Sequence, residues 1–212
     1  MRIVEPKVTE YIEGFGGIKE FQELEDYAKE QYIPIVMKDA ARFLGFMVAT
    51  LKPHKVLELG TAIGYSALIM ATHGAKEIIS IERDETMRNM ALQNIQNYGQ
   101  EKIIKVVHDD CLHYLKTSED QVDFVFMDAG KSHYREYLDL CLPKLNPGGV
   151  ILCDNVLYRG LVSLEKTERK HRTNIVNLQE FIRYVHERED LLVSLLSISD
   201  GMLLIRRKEE HV

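Results

Sequence analysis

The stretch that most constrains this chain is Lys55-Val-Leu-Glu-Leu-Gly60-Thr-Ala-Ile-Gly64-Tyr-Ser66, followed some way on by Ile-Ser-Ile-Glu82. An apolar run ends in a turn carrying two glycines, and a helical pattern follows. A second apolar run then ends in one carboxylate. This is the layout of a nucleotide-type cofactor site at the carboxyl ends of parallel strands. The glycines let the backbone approach a ligand closely, and an acid placed like Glu82 can accept both hydroxyls of a ribose. Taken alone, the same residues also describe an ordinary strand–turn–helix corner. The spacing is not the dinucleotide one. Glu58 precedes Gly60, and three residues separate Gly60 from Gly64, so the turn reads Glu-x-Gly-x-x-x-Gly instead of Gly-x-Gly-x-x-Gly.

A chain of 212 residues fits one domain with a sizeable core. We read residues 1–212 as a single domain, with a helical extension over 1–52 and the core over 53–212. The formal net charge of −6 offers no global attraction for nucleic acid, so a polyanionic partner needs a local basic patch. The N-terminus has no long apolar run, and no stretch approaches the roughly 18 apolar residues of a membrane span. Neither a signal peptide nor a membrane contact is expected. Cys111, Cys141 and Cys153 lack metal-type spacing, and so sparse a set fits a reducing cytoplasm. They read as small buried residues and not as nucleophiles.

Residues 5–30 are charged and weakly amphipathic. Residues 34–51 make a better helix, with Pro34 near its start and Ala41, Leu44, Gly45 and Val48 on one face. Beyond Pro53, strands at 55–60, 77–82, 103–107, 122–128 and 148–154 alternate with helices at 64–73, 84–97, 111–117 and 132–145. That alternation implies right-handed crossovers and a mostly parallel sheet. Asn146-Pro147-Gly148-Gly149 reads as the turn feeding the strand near residue 150. A helix at 173–188 precedes two apolar runs, at 191–196 and 202–205. Asp200-Gly201 supplies a tight turn between them, which predicts a C-terminal antiparallel hairpin. The fold class is α/β: a Rossmann-like, mostly parallel seven-stranded sheet with helices on both faces.

Ligands of open α/β sheets sit beyond the carboxyl ends of the strands. At that edge the pattern places Glu82, Asp109-Asp110, Asp128 and Asp154-Asn155. Each acid could merely cap the next helix. Together they would repel one another unless something positive were shared, and a divalent cation is the simplest answer. Asp128, Asp154 and Asn155 are hard oxygen donors suited to Mg²⁺, with waters and substrate oxygens completing the shell.

The segments Glu58-Leu-Gly-Thr-Ala-Ile-Gly-Tyr-Ser66, Phe126-Met-Asp128-Ala-Gly-Lys131 and Leu152-Cys-Asp154-Asn155-Val156 resemble the cation-dependent O-methyltransferases of the catechol and caffeoyl-CoA type. Glu-x-Gly-x-x-x-Gly is similar to motif I of class I S-adenosylmethionine (SAM) methyltransferases. The resemblance implies a SAM pocket and a divalent cation. It carries the metal ligands onto Asp128, Asp154 and Asn155, and the ribose acid onto Glu82. Asp110 and Cys111 fall beside the adenine, Ser66 follows motif I, and Met37 falls on the segment covering the methionine moiety. Lys131 falls on the position of a general base, a role it can fill if the nearby cation depresses its pKa. A homodimer joined through the N-terminal helices is also implied.

The acceptor is the open question at this stage. The chain has no tryptophan, so the tryptophan gate of catechol enzymes is absent in that form. Arg159 falls near the substrate mouth, and Lys166, Arg169, Lys170 and Arg172 form a basic cluster in an acidic chain. Such a cluster can hold phosphates while a site reads one base, although it also describes a solvated helix face. The run Asp154-Asn-Val-Leu-Tyr-Arg-Gly160 and the ending Ser199-Asp-Gly-Met-Leu-Leu-Ile205 most resemble the bacterial tRNA 5-hydroxyuridine methyltransferases. That likeness implies methylation of the wobble 5-hydroxyl in a tRNA anticodon loop, to give 5-methoxyuridine. A small catechol-like or hydroxycinnamoyl acceptor is the alternative. A nicotinamide-dependent dehydrogenase is disfavoured by the glycine spacing. A non-catalytic tRNA-binding or structural module leaves the strand-end acids unexplained, and a Mg²⁺-dependent hydrolase lacks a nucleophile or phosphate-loop motif.

Overall fold

A computed structural model describes residues 6–164 and 172–208. Its strands are β1 (Lys55–Leu59), β2 (Glu77–Glu82), β3 (Ile104–His108), β4 (Val122–Met127), β5 (Leu145–Cys153), β6 (Leu191–Leu196) and β7 (Met202–Arg207). They form one sheet in the order β3-β2-β1-β4-β5-β7-β6. The first five strands pair in parallel, and β7 runs antiparallel to both β5 and β6. Strand order reverses between β1 and β4, so a crevice opens there at the carboxyl edge.

The helices are α1 (Pro6–Glu13), α2 (Gln22–Glu30), α3 (Lys38–Leu51), α4 (Tyr65–Thr72), α5 (Glu85–Asn97), α6 (Cys111–Thr117), α7 (Tyr134–Cys141) and α8 (Arg172–Glu187). The central strands send alternate side chains to opposite faces. Val56, Phe124 and Phe126 join a core with α2, α3, α4 and α5. Leu57, Val125 and Met127 join a second core with α6, α7 and α8. Covering on both faces is why these strands read as nearly continuous apolar runs. Every residue of α4 from Tyr65 to Ala71 is buried, so that helix is apolar all round.

Three local expectations are corrected. Residues 34–37 are not helical: α3 begins at Lys38, with Met37 as its N-cap in extended conformation. The helix expected over 132–145 is three pieces, 3-10 turns at Lys131–His133 and Leu142–Lys144 flanking α7. Pro143 in the second turn lacks the N–H that would continue the ladder. Asn146-Pro147-Gly148-Gly149 lies inside β5 as a bulge, since pairing jumps from Val122–Leu145 to Phe124–Val150. The C-terminal hairpin is as expected: β6 and β7 pair antiparallel, and a tight turn closed by the Gly201 N–H on the Ile198 carbonyl (2.8 Å) carries Asp200 between them.

Asp123 ties the opposite, amino edge of the sheet together. Its carboxylate accepts the N–H groups of His54 (2.8 Å) and Lys55 (2.9 Å) and the Asn146 side-chain amide (2.8 Å). Burial works against the charge, but these donors hold the carboxyl below its ordinary value. Asp123→Ala is expected to cost about 1–3 kcal/mol, read by urea denaturation. An unchanged midpoint would remove the residue from the account of the fold.

Candidate active site

Parallel-ladder hydrogen bonding runs one residue beyond the strand ends. Gly60 N–H donates to the Ile81 carbonyl (3.1 Å), Asp128 N–H to Leu59 (3.0 Å), Asp154 N–H to Met127 (3.0 Å) and Asp109 N–H to Glu82 (3.2 Å). The glycine turn and the acids are thereby held in line along one edge. Above that edge opens a cavity of about 840 Å³, in the size range of small-molecule sites. Met37, Gly60, Ser66, Glu82, Asp110, Cys111, Asp128, Lys131, Asn155 and Arg159 all line it.

The glycine turn is a cradle with no room for a side chain. Gly60 has φ +100°, and a Cβ there would lie 2.9 Å from the Asp128 carbonyl oxygen. Gly64, at φ +87°, starts α4 in a left-handed conformation. Glu82 accepts the Ala62 N–H through Oε2 and the Asp84 N–H through Oε1, each at 2.9 Å. Each oxygen keeps a lone pair for a hydroxyl on the cavity side.

Glu58 lies under the turn and does not line the cavity. It is fully buried, and the Ser80 hydroxyl donates to its Oε2. Its Oε1 has no hydrogen-bond partner among the described residues. Burial pushes its carboxyl up to about 7, against the pull of the Ser66 and Ser80 hydroxyls. Asp110 caps α6, accepting the Leu112 N–H at 2.9 Å. Burial pushes the Cys111 thiol up to about 12, so it is an inert wall and not a nucleophile. Cys141 and Cys153 are also buried and free.

On the acceptor side, Asp154 is 1% exposed and sits behind the cavity wall. Its Oδ1 accepts the Asn155 N–H at 2.6 Å. Burial, reinforced by the charge of Asp128, pushes the Asp154 carboxyl up to about 8. Asp128 is also raised by burial, although the Lys131 ammonium opposes this from 3.4 Å. Two carboxylates are thus crowded together with one lysine beside them. Among the described residues no group of three His, Cys, Asp or Glu side chains could hold a metal ion. The candidate set is two carboxylates and the Asn155 amide, a donor chemistry that suits a hard cation completed by water and substrate oxygens.

Arg172, of the basic cluster, opens α8 as an exposed residue and is not among the residues lining the cavity. Lys166, Arg169 and Lys170 lie outside the described residues. The cavity adds residues the sequence reading did not single out: Pro34, Ile35, Val36, Tyr65, Arg83, Tyr137, Tyr158, Leu161 and Asp200. Tyr65 and Arg83 adjoin Gly64 and Glu82, so adjacency to the motif was an available signal. Asp200 read only as a turn residue, and nothing in the local pattern marks Tyr137.

A glycine cradle, a ribose-type acid and a carboxylate pair at the switch point define a nucleotide-cofactor transferase of the methyltransferase fold. The comparisons make the class specific. A family model described as O-methyltransferase matches residues 18–208. A caffeoyl-CoA O-methyltransferase from Populus kitakamiensis is 29% identical, over 91% of this chain and 88% of its own. A flavonoid 3',5'-methyltransferase from Vitis vinifera is 28% identical, over 80% of this chain and 77% of its own. A methyltransferase from Podospora anserina, solved with S-adenosylhomocysteine (SAH), superposes with a TM-score of 0.85 at 26% identity, over 96% of this chain and 94% of that one. The chain belongs to the O-methyltransferase family and is a SAM-dependent O-methyltransferase. The residues present fit that donor: a Cβ at Gly60 would fill the cradle, and Glu82, Ser66 and Asp110 line the same cavity. Among the described residues, no helix is long and apolar enough to cross a membrane.

Glu58 makes stability pH-dependent. Its folded value lies above 4.5, so between 4.5 and about 7 the folded protein holds a proton the unfolded chain has lost. Its contribution to stability therefore falls as pH rises through that window. Urea titrations of the ligand-free protein are expected to show this fall, and Glu58→Gln to flatten the part due to this residue. Parallel pH profiles for both proteins would contradict it.

Proposed function

We propose that this enzyme transfers the methyl group of SAM to one oxygen of an adjacent oxygen pair, assisted by a divalent cation such as Mg²⁺. The observation that carries the reading is the pair formed by half-buried Asp128, which lines the cofactor cavity, and buried Asp154, both raised, with Lys131 beside Asp128. Asp128, Asp154 and Asn155 are the proposed cation ligands. A cation held there would make the acceptor hydroxyl more acidic and orient it. With the cation in place and its own proton released to solvent, the neutral Lys131 amine would take the hydroxyl proton. The oxygen then attacks in line: an O–C bond forms as the S–C bond breaks, and the sulfonium leaves as a neutral thioether. Met37, Glu58, Gly60, Gly64, Ser66, Glu82, Asp110, Cys111 and Asp128 form the proposed SAM site. Most of the acceleration comes from alignment.

For the acceptor, the names of the curated relatives favour a small catechol-like or hydroxycinnamoyl molecule. The tRNA wobble uridine is the second reading. It is supported by Arg159, which lines the cavity in a left-handed conformation (φ +57°) beside Gly160, and by the sequence likeness around it. A 5-hydroxyl next to a 4-carbonyl presents the same adjacent oxygens as a catechol. A homodimer through the N-terminal helices fits the exposed Tyr11, Phe15 and Phe46. A cytoplasmic location stands as a proposal from composition.

The test is methyl transfer from SAM to caffeate, caffeoyl-CoA, tRNA carrying 5-hydroxyuridine and the same tRNA without that hydroxyl, each with and without chelator. Chelator-sensitive methylation of the small acceptors alone is the expected result. Methylation of the hydroxylated tRNA alone would move the acceptor to the second reading. Asp154→Ala is expected to lower turnover at least a hundredfold, about 2.7 kcal/mol or more, with SAH binding kept. Unchanged turnover would overturn the cation assignment.

A further inference from the structure

We infer that Glu25, outside the cavity, is a positioning residue for the cofactor: its buried carboxylate clasps the segment 34–37 against the helix that follows the glycine turn. Three parts of the chain converge on it. Tyr65 donates its hydroxyl to Glu25 Oε1 at 2.6 Å, and the Ile18 N–H donates to the same oxygen at 3.2 Å. The Lys38 ammonium lies 3.6 Å from Oε2, an oxygen with no hydrogen-bond partner among the described residues.

Two of these contacts have a reason to matter at the cavity. Tyr65 is the first residue of α4, directly after Gly64, and lines the cavity itself. Lys38 is the first residue of α3, directly after Met37. Pro34, Ile35, Val36 and Met37 form the cavity wall contributed by the N-terminal part of the chain. The next residue, Asp39, fastens the other side of that wall, accepting the Ser199 N–H (3.0 Å) and the Ser199 hydroxyl. Without Glu25, the wall would keep its Asp39 anchor and its apolar packing on α4 and lose its polar tie to Tyr65.

The surroundings are shaped for the carboxylate. The Glu25 side chain is 5% exposed, and a Cβ at Gly17 would lie 2.0 Å from Oε1. Phe21 packs edge-on against Tyr65, with ring centroids 6.1 Å apart. A buried acid is a costly way to fill space, because a well-packed apolar residue serves stability equally well. Its hydrogen bond from one cavity residue, Tyr65, and its ion pair with the neighbour of another, Lys38, point to a role in geometry.

The inference rests on residues 34–37 and Tyr65 belonging to the SAM site. SAH binding by calorimetry, with thermal melting in parallel, tests it on the full chain. Glu25→Gln keeps an acceptor for Tyr65 and removes the charge facing Lys38. Tyr65→Phe keeps Glu25 and removes the hydroxyl. Each is expected to weaken SAH binding about tenfold, the loss of roughly one charge-assisted hydrogen bond. The double variant should bind no worse than the weaker single one, because both changes break one linkage. Lowered melting temperatures with unchanged SAH affinity would overturn the proposal and leave Glu25 as a fold stabiliser. Should Glu25→Gln fail to fold, Tyr65→Phe decides alone on the same criterion. A wild-type protein that binds no SAH would overturn the cofactor site itself, a different result from any of these.

Discussion

Everything at the functional edge depends on four backbone hydrogen bonds that continue the parallel ladder past the strand ends. By donating to carbonyls at the ends of the neighbouring strands (Ile81, Glu82, Leu59 and Met127), Gly60, Asp109, Asp128 and Asp154 take up a register that loops alone would not hold. The strands are buried on both faces by two separate cores, so that register is anchored along their length. Site precision here is inherited from sheet geometry. The cradle at Gly60 illustrates this, because its missing side chain leaves space for the backbone of Asp128 from the next strand.

The same register creates an electrostatic problem. Glu58 and Asp154 are buried and Asp128 is half-buried beside them, and burial raises all three carboxyls. Buried acids without full compensation are unfavourable for folding. A sulfonium donor, and the cation proposed for Asp128, Asp154 and Asn155, would each supply positive charge and turn that cost into affinity. Lys131, at 3.4 Å from Asp128, meets part of the need.

Much of this was legible in the sequence, and the failures have physical causes. The strands from β1 to β4 were readable because burial on two faces leaves apolar runs that few other structures produce. The Glu-x-Gly-x-x-x-Gly spacing separated this turn from a dinucleotide turn before any coordinates. β5 was misread at its start because a Pro-Gly-Gly bulge inside a strand looks like a turn. The segment 34–37 was taken for helix because Pro34 mimics a helix start, whereas the chain stays extended there to wall the cavity. Glu25 was invisible: its partners Ile18, Lys38 and Tyr65 are brought to it by tertiary packing, and no local pattern joins them. The basic cluster is the converse case, conspicuous in sequence, with Arg172 standing off the cavity.

The most direct test of the carboxylate pair is a crystal structure of the SAH complex grown with Mn²⁺, read by anomalous scattering. A peak within coordination distance of Asp128, Asp154 and Asn155, beside the site of the departed methyl group, is the expected result. A well-ordered SAH complex with no manganese at these residues would contradict cation-assisted transfer and leave Lys131 and alignment to carry the chemistry.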